Sequence, residues 1–184
     1  MITVQQEVIP IIQAGYFNPY DGYYYENGQK SNKTGLTMID GTFYNLEQGK
    51  LKTEPDLVEY NGAQFFTING QVATSANGLT LVENEFYFLA GGQVQVHKGF
   101  AEYDGEWFYL NGGKLDTNAN GVYAYDGAQF LIAAGRLVSE YMGLAQTPSG
   151  EWYYVAAGRV LTEYTGPVEY NGAVFQVVNG KVVL

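Results

Sequence analysis

The sequence predicts an all-β fold in which about eight tandem copies of a β-hairpin or meander unit, each 19–23 residues long, form an elongated β-solenoid. Three observations lead to this prediction. Glycine and tyrosine are abundant, with 24 and 17 residues among 184. Two glycine-containing turns recur along the chain with an aromatic strand between them. The apolar residues of every copy fall on one strand face once these turns define the register.

Asn-Gly and Asp-Gly pairs recur at the first turn of the unit. A two-residue type I′ hairpin needs positive φ at both central residues, and these pairs tolerate that conformation best. A second glycine turn follows eight residues later in every copy except the first, where the spacing is six. The first turns fall at Gly22, Gly41, Gly62, Asn84, Gly105, Gly127, Gly150 and Gly172, and the second turns at Gly28, Gly49, Gly70, Gly92, Gly113, Gly135, Gly158 and Gly180.

Two-residue loops at both turns make each copy a three-stranded meander. The residue three positions before the second glycine then lies opposite the residue two positions after it. Thirteen of the fourteen residues in these pairs are aliphatic, and an aromatic residue lies two positions earlier on the same face, so we expect this face to be the core. The predicted pairs are Leu46–Leu51, Thr67–Val72, Leu89–Val94, Leu110–Leu115, Ile132–Leu137, Val155–Val160 and Val177–Val182.

The domain organisation follows from the repeat. Residues 17–184 are predicted to form a single array. Residues 1–16 are apolar but do not follow the repeat, so we expect a capping helix or strand at this end of the array. The same segment has no basic start and is interrupted by Glu7 and Pro10, which is not the pattern of a secretory signal.

The composition excludes several function classes. The formal net charge of −10 disfavours nucleic acid and anionic membrane surfaces as partners, and the chain has no apolar run long enough for a transmembrane helix. There is no cysteine and His97 is the only histidine, so disulfides and Cys- or His-cluster metal sites are excluded. None of the four serines lies in a nucleophile elbow. We therefore expect no catalysis, no metal and no cofactor.

Two stretches resemble a known family. Gly150–Thr162 reads GEWYYVAAGRVLT and Asp104–Leu115 reads DGEWFYLNGGKL. Both are similar to the cell-wall-binding or choline-binding repeat of Gram-positive bacteria, which is related to the repetitive oligopeptides of clostridial toxins and to glucan-binding repeats. The resemblance covers about residues 17–184. It implies a β-hairpin solenoid at the cell surface or outside the cell that binds a cell-wall polymer, a glycan or teichoic-acid choline, as a dimer or attached to a separate functional domain.

One departure from the family pattern bears on the ligand. Choline-binding units begin with Gly-Trp, and this tryptophan forms one wall of the choline cage. A quaternary ammonium group needs several aromatic faces around it, so the loss of this wall argues against choline. The corresponding positions are Gly35-Leu36, Gly78-Leu79, Gly99-Phe100, Gly121-Val122 and Gly143-Leu144.

The second face of the meander is the candidate binding surface. An exposed aromatic ring stacks on the C–H face of a sugar, while carboxylates and guanidinium groups bind its hydroxyls. Copies five and seven carry the two tryptophans, and copy seven places Trp152 opposite Thr147 in the predicted register. The candidate site residues are Glu102, Trp107, Tyr109, Lys114 and Asp116 in copy five, and Trp152, Tyr154 and Arg159 in copy seven.

Two structural interpretations stay open beside this one. The aromatic residues of the second face could pack against the next copy or a partner subunit, which would make the chain a surface stalk, spacer or adhesin without a small ligand. The residue after the second glycine is basic in five copies, which indicates either a polar rail for a polymer or protection of strand edges. These basic residues are Lys50, Lys114, Arg136, Arg159 and Lys181.

Overall fold

The computed structural model describes residues 15–183, whose regular secondary structure is entirely β. Each of the eight copies contributes three consecutive strands, which confirms the predicted all-β fold of tandem hairpin repeats. The strands are β1 (Gly15–Phe17), β2 (Tyr24–Glu26), β3 (Gln29–Lys30), β4 (Gly35–Ile39), β5 (Thr42–Glu47), β6 (Lys50–Leu51), β7 (Asp56–Tyr60), β8 (Ala63–Ile68), β9 (Gln71–Val72), β10 (Gly78–Val82), β11 (Glu85–Ala90), β12 (Gln93–Val94), β13 (Gly99–Tyr103), β14 (Glu106–Asn111), β15 (Lys114–Leu115), β16 (Gly121–Tyr125), β17 (Ala128–Ala133), β18 (Arg136–Leu137), β19 (Met142–Gln146), β20 (Trp152–Ala156), β21 (Arg159–Val160), β22 (Gly166–Tyr170), β23 (Ala173–Val178) and β24 (Lys181–Val183).

The chain divides into two compact units by its contacts. The first ends at Thr74 and contains copies one to three, and the second begins at Ser75 and contains copies four to eight. The single array over residues 17–184 stays a prediction. The predicted cap falls mainly on residues 1–14, outside the described residues, whereas Gly15 and Tyr16 belong to β1. Residues 15–183 contain no helix long and apolar enough to cross a membrane.

The predicted register is confirmed at the second glycine turn of copies two to eight. All seven predicted pairs are antiparallel partners, from Leu46↔Leu51 in copy two to Val177↔Val182 in copy eight. The loops between them have two residues with positive φ, as at Asn69 (51°) and Gly70 (76°). This is the type I′ conformation, whose twist matches that of the flanking strands.

The first loop of copy seven differs from the prediction. A two-residue turn would place Thr147 opposite Trp152, but the partner of Trp152 is Gln146 and the loop spans residues 147–151. Pro148 has no N–H and cannot continue the strand ladder. Thr147 instead closes the loop, because its main-chain oxygen accepts from the Gly150 N–H at 3.0 Å and its Oγ1 accepts from the Glu151 N–H at 3.0 Å.

The short third strand of a copy also pairs with the preceding copy. In copies three and five to eight it forms a single antiparallel bridge to the second strand of the hairpin before it, within the same unit. Gly135, in the second turn of copy six, belongs to this junction, since its carbonyl accepts from the Tyr109 N–H of copy five at 2.7 Å. These bridges are Tyr44↔Gln71, Tyr87↔Lys114, Phe108↔Arg136, Phe130↔Arg159 and Tyr153↔Lys181.

The second face of the hairpins is also buried in part, whereas the sequence predicts one core face. The predicted core face is confirmed by Leu110 and Val155, which are both 0% exposed. The second face packs against the core face of the next copy, as Phe100 and Tyr109 of copy five do against Ile132 of copy six. The alternation of side chains along a strand predicts which residues lie on each face, but it does not predict which neighbouring copy packs against that face.

Candidate ligand-binding grooves

A groove of about 390 Å³ lies at the junction of copies five and six. We call it the Trp107 groove. Copy five contributes Phe100 and Trp107, copy six contributes most of the remaining wall, and one residue comes from copy seven. The other lining residues are Tyr125, Asp126, Ala128, Phe130, Leu137 and Arg159.

A second groove of about 380 Å³, the Trp152 groove, repeats this construction at copies seven and eight. Each of its lining residues occupies the same place in the repeat as a residue of the Trp107 groove. Asn171 takes the place of Asp126, and nothing corresponds to Arg159. The groove is lined by Leu144, Trp152, Tyr170, Asn171, Ala173, Phe175 and Val182.

Aromatic rings form the walls of both grooves. The ring of Phe100 lies 5.4 Å from that of Tyr125 and 5.3 Å from that of Phe130, measured between centroids, in edge-to-face geometry. Trp107 stands beside them and is 48% exposed, so a large part of its ring is open to solvent. In the second groove, Trp152 and Tyr170 are 5.7 Å apart with a 58° angle between their planes.

Strand alternation and the turns explain why these rings meet. Each tryptophan is the second residue after the first-turn glycine of its copy, Gly105 or Gly150, and lies on the second face. Its tyrosine neighbour ends the first strand of the next copy, on the core face. Because the second face of one copy packs on the core face of the next, the two rings come together near the first turns.

A small residue leaves space for each groove. Ala128 and Ala173 begin the second strands of copies six and eight, directly after the first turn. The residue after the first glycine of copies five and seven is Glu106 or Glu151, and each of these forms an ion pair with a later copy. Alanine at this place therefore removes both a long side chain and a negative charge.

Three of the basic residues after the second glycine form ion pairs between copies of the second unit. The pairs are Lys114 with Glu85, Arg136 with Glu106 and Lys181 with Glu151. A hydrogen bond to the Glu85 carboxylate raises the pKa of Lys114, and the bond from Lys114 lowers the pKa of Glu85. Three of these basic residues therefore join neighbouring copies, and neither the polymer rail nor edge protection is needed to explain them.

Comparison with known proteins bears directly on the two tryptophan-bearing copies. Residues 98–116 and 140–161 match the choline-binding repeat family. The matched residues are those of copies five and seven. The match confirms the resemblance on which the prediction of a cell-wall-binding repeat module rests. A comparison with curated proteins gave no significant match.

Solved structures that match this chain include two proteins of Streptococcus pneumoniae. One is CbpJ of strain TIGR4, at 18% sequence identity and a TM-score of 0.41, with 88% of this chain and 56% of that chain covered. The other is choline binding protein F in the presence of a peptidoglycan analogue, at 20% identity and a TM-score of 0.40, with 88% and 55% covered. The present chain thus spans just over half the length of either protein.

Copy five positions only part of its predicted site at the Trp107 groove. Trp107 lines the Trp107 groove, but Tyr109 is 5% exposed and its ring lies 5.0 Å from that of Tyr123 in copy six. Tyr109 is therefore not an exposed platform, and burial raises the pKa of its hydroxyl. Tyr109 is buried because copy six packs over this part of the second face of copy five.

The predicted polar residues of copy five are engaged within the fold. Glu102 accepts a hydrogen bond from the Gly105 N–H at 2.7 Å, and Asp116 accepts one from the Asn118 N–H at 3.1 Å. Lys114 pairs with Glu85 of copy four. These contacts support turns and the junction between copies, and none of the three residues lines the Trp107 groove.

The predicted residues of copy seven separate into two places. Trp152 lines its own groove, and Tyr154 is half-buried with its ring 4.6 Å from that of Tyr164. Arg159 lies at the Trp107 groove, at the junction of copies five and six, and not at the groove of Trp152, with which the sequence predicts it to form a site. The third strand explains this position, because Arg159 is the bridge partner of Phe130 in copy six.

Tyr125 and Tyr170 line the grooves beside the tryptophans, so they are candidate site residues. The repeat pattern does not identify them as such, because it assigns their positions to the core face. A sequence signal for them exists in the spacing between rings. An aromatic residue just after the first turn of one copy contacts a tyrosine 17 or 18 positions later, in the next copy. The contacting pairs are Phe43–Tyr60 at 5.0 Å, Phe86–Tyr103 at 5.0 Å and Trp152–Tyr170 at 5.7 Å.

Proposed function

We propose that this chain is a non-catalytic cell-wall-binding module that holds units of a wall polymer in the Trp107 and Trp152 grooves. One observation carries the proposal. The two copies that match the choline-binding repeat are the two that supply a tryptophan to a groove, and both grooves have the same construction. If the tryptophans served only to pack one copy against the next, no open groove would be expected beside each of them.

A sugar ring suits the chemistry of both grooves. Its C–H face stacks on the open ring of Trp107 or Trp152, and its hydroxyls donate to Asp126 in one groove or exchange hydrogen bonds with Asn171 in the other. A shallow groove binds one unit weakly. Two grooves on one polymer chain raise the overall affinity, because the second contact forms at a high effective concentration.

Choline is the second candidate, and the Trp152 groove favours it more than the Trp107 groove does. Trp152, Tyr170 and Phe175 offer three rings without a charged lining residue. A quaternary ammonium group binds to such faces. The Trp107 groove has four rings but also the guanidinium of Arg159, which repels a cation. Leu144 occupies the place of the tryptophan that begins a choline-binding unit, so this cage has one wall fewer.

The proposal places the chain at the cell surface, where its wall polymer lies. It assigns no reaction to the chain. His97, the only histidine, stacks on Phe88 at 4.8 Å and contacts the Phe100 carbonyl, and it lines neither groove. A catalytic or toxic activity would belong to a separate domain, for which the module supplies attachment to the wall.

A sedimentation assay with insoluble bacterial cell walls tests the proposal. Wild-type protein should co-sediment with the walls, and a Trp107→Ala/Trp152→Ala double variant should stay in solution. Adding free choline or a soluble wall glycan to the wild-type assay identifies the ligand, since only the correct competitor releases the protein.

Gln129→Ala is the matched control. Gln129 occupies the same place in copy six that Trp107 occupies in copy five. It lies in β17, directly before Phe130, and has no aromatic ring. This variant should bind like the wild type. Failure of the wild type to bind, or full binding by the double variant, would overturn the proposal.

A further inference from the structure

The series of ion pairs between copies is interrupted at one place. In the second unit, the junctions of copies four with five, five with six and seven with eight each pair a glutamate with a basic residue. The junction of copies six and seven has the basic residue, Arg159, but Ala128 stands where the glutamate would be. Among residues 15–183, Arg159 has no carboxylate within ion-pair distance.

Arg159 and Ala128 are also two of the residues that line the Trp107 groove. The same substitution of alanine for glutamate therefore opens space beside Trp107 and leaves a guanidinium group without a partner at its edge. Arg159 is exposed, so its five N–H donors are available to a ligand in the groove. At the three other junctions, a glutamate of the protein itself uses the equivalent cation.

We infer that the Trp107 groove selects a sugar unit that carries an anionic group, and that Arg159 is the residue that recognises this group. The inference rests on the proposed function and names the ligand class of one of its two sites. A carboxylate and a phosphate share the chemistry that matters, since each offers two oxygens to the planar guanidinium fork.

The remaining groove residues fit this assignment. The sugar ring stacks on Trp107 while its anionic substituent lies on Arg159, and the carboxylate of Asp126 accepts from a hydroxyl at another edge of the ring. Asp126 is not within ion-pair distance of Arg159, so the two groups act on different parts of the ligand. The Trp152 groove has the same aromatic frame without a charged residue, and serves as an internal reference.

Tryptophan fluorescence titration tests the inference on the full chain, because the chain has two tryptophans. In a Trp152→Phe background, Trp107 is the reporter for its own groove. The probes are methyl glucoside, methyl glucuronoside and glucose 6-phosphate, which are neutral, carboxylate-bearing and phosphate-bearing. We expect at least one anionic probe to bind about three- to tenfold more tightly than methyl glucoside, with the advantage shrinking in high salt.

Two variants assign the preference to Arg159. Arg159→Gln should remove the advantage of the anionic probe over methyl glucoside. Ala128→Glu should also remove this advantage, because the new carboxylate pairs with Arg159, and it should weaken the binding of all three probes, because the longer side chain fills part of the groove. In the reciprocal Trp107→Phe background, Trp152 should respond to the probes without an anionic preference. Unfolding midpoints equal to that of the parent variant establish that each substituted chain is folded.

The outcomes separate the inference from the proposed function. Preference for the carboxylate probe indicates an acidic sugar, and preference for the phosphate probe indicates a phosphorylated one; both support the inference. Binding of all three probes with equal affinity, or an anionic preference that survives Arg159→Gln, overturns the inference and leaves the proposed function intact. No binding of any probe, wall glycan or choline at either tryptophan overturns both.

Discussion

Lys114 of copy five is joined to Glu85 of copy four by an ion pair across the junction between the two copies. The backbone of Lys114 forms the bridge to Tyr87, and its ammonium group lies 5.6 Å from the centre of the Tyr87 ring. One side chain thus contacts a carboxylate and an aromatic face of the preceding copy. The short third strand of copy five, β15, positions Lys114 for both contacts because it pairs with the second strand of copy four.

This ion pair predicts a dependence of stability on pH. The hydrogen bond from Lys114 lowers the pKa of Glu85 below its ordinary value of 4.5. The stabilisation is therefore present at neutral pH and is lost as the pH falls through the lowered value. Glu85→Gln should reduce stability slightly at pH 7, and this loss should shrink as the pH falls through the lowered pKa of Glu85, as measured by urea denaturation. Glu169→Gln, at an exposed glutamate without an ion pair among the described residues, is the control and should change stability less than Glu85→Gln does at pH 7.

The two turn glycines of copy six should tolerate alanine differently. Gly127 and Gly135 have positive φ, 73° and 77°, which costs alanine about 1 kcal/mol at either place. A Cβ on Gly127 would have no neighbour within 4 Å, but one on Gly135 would lie 2.6 Å from the Asp116 carbonyl oxygen of copy five. We expect Gly135→Ala to lower the free energy of unfolding at least twice as much as Gly127→Ala. Equal losses would show that the close approach between copies does not matter.

Burial in the junctions predicts a contrast between two leucines of the second unit. Leu110 is 0% exposed and packs with Leu79 and Ala101, whereas Leu81 is 50% exposed. Leu110→Ala should cost about 2–5 kcal/mol of unfolding free energy, because it removes apolar contacts and leaves a cavity. Leu81→Ala should cost less than about 1 kcal/mol. Chemical denaturation of the two variants and the wild type measures both values.

The two tryptophans should differ in their access to a quencher. Trp107 is half open to solvent, while Trp152 is half-buried against Tyr170. Acrylamide should quench a Trp152→Phe variant, which retains Trp107, more strongly than a Trp107→Phe variant. Strong protection of Trp107 would contradict its place on an open groove.

Local chemistry explains why much of the fold could be predicted from the sequence. The pair Leu110↔Leu115 depends on a two-residue turn and on side-chain alternation, and both can be read from a few adjacent residues. The same rules failed at Thr147, where Pro148 lengthens the loop and shifts the partner of Trp152 to Gln146. A proline near a predicted turn therefore weakens a register assignment.

The candidate grooves depend on contacts between copies, which the pattern within one copy does not contain. Tyr109 and Trp107 lie on the same face of β14, yet the next copy covers the first and leaves the second half open. Arg159 belongs to copy seven in sequence but reaches the Trp107 groove because its strand pairs with copy six. Predicting either position requires knowing how the third strand bridges successive hairpins.

Titration of the protein onto insoluble cell walls tests most directly the claim that the two grooves bind a wall polymer. The apparent affinities of wild type, Trp107→Ala, Trp152→Ala and the double variant are compared, with Gln129→Ala as the control and unfolding midpoints as the check on folding. We predict that each single variant binds about tenfold or more weakly than the wild type because it loses the avidity of paired sites, that the double variant does not bind, and that the control is unchanged. Wild-type affinity in the double variant would contradict the account.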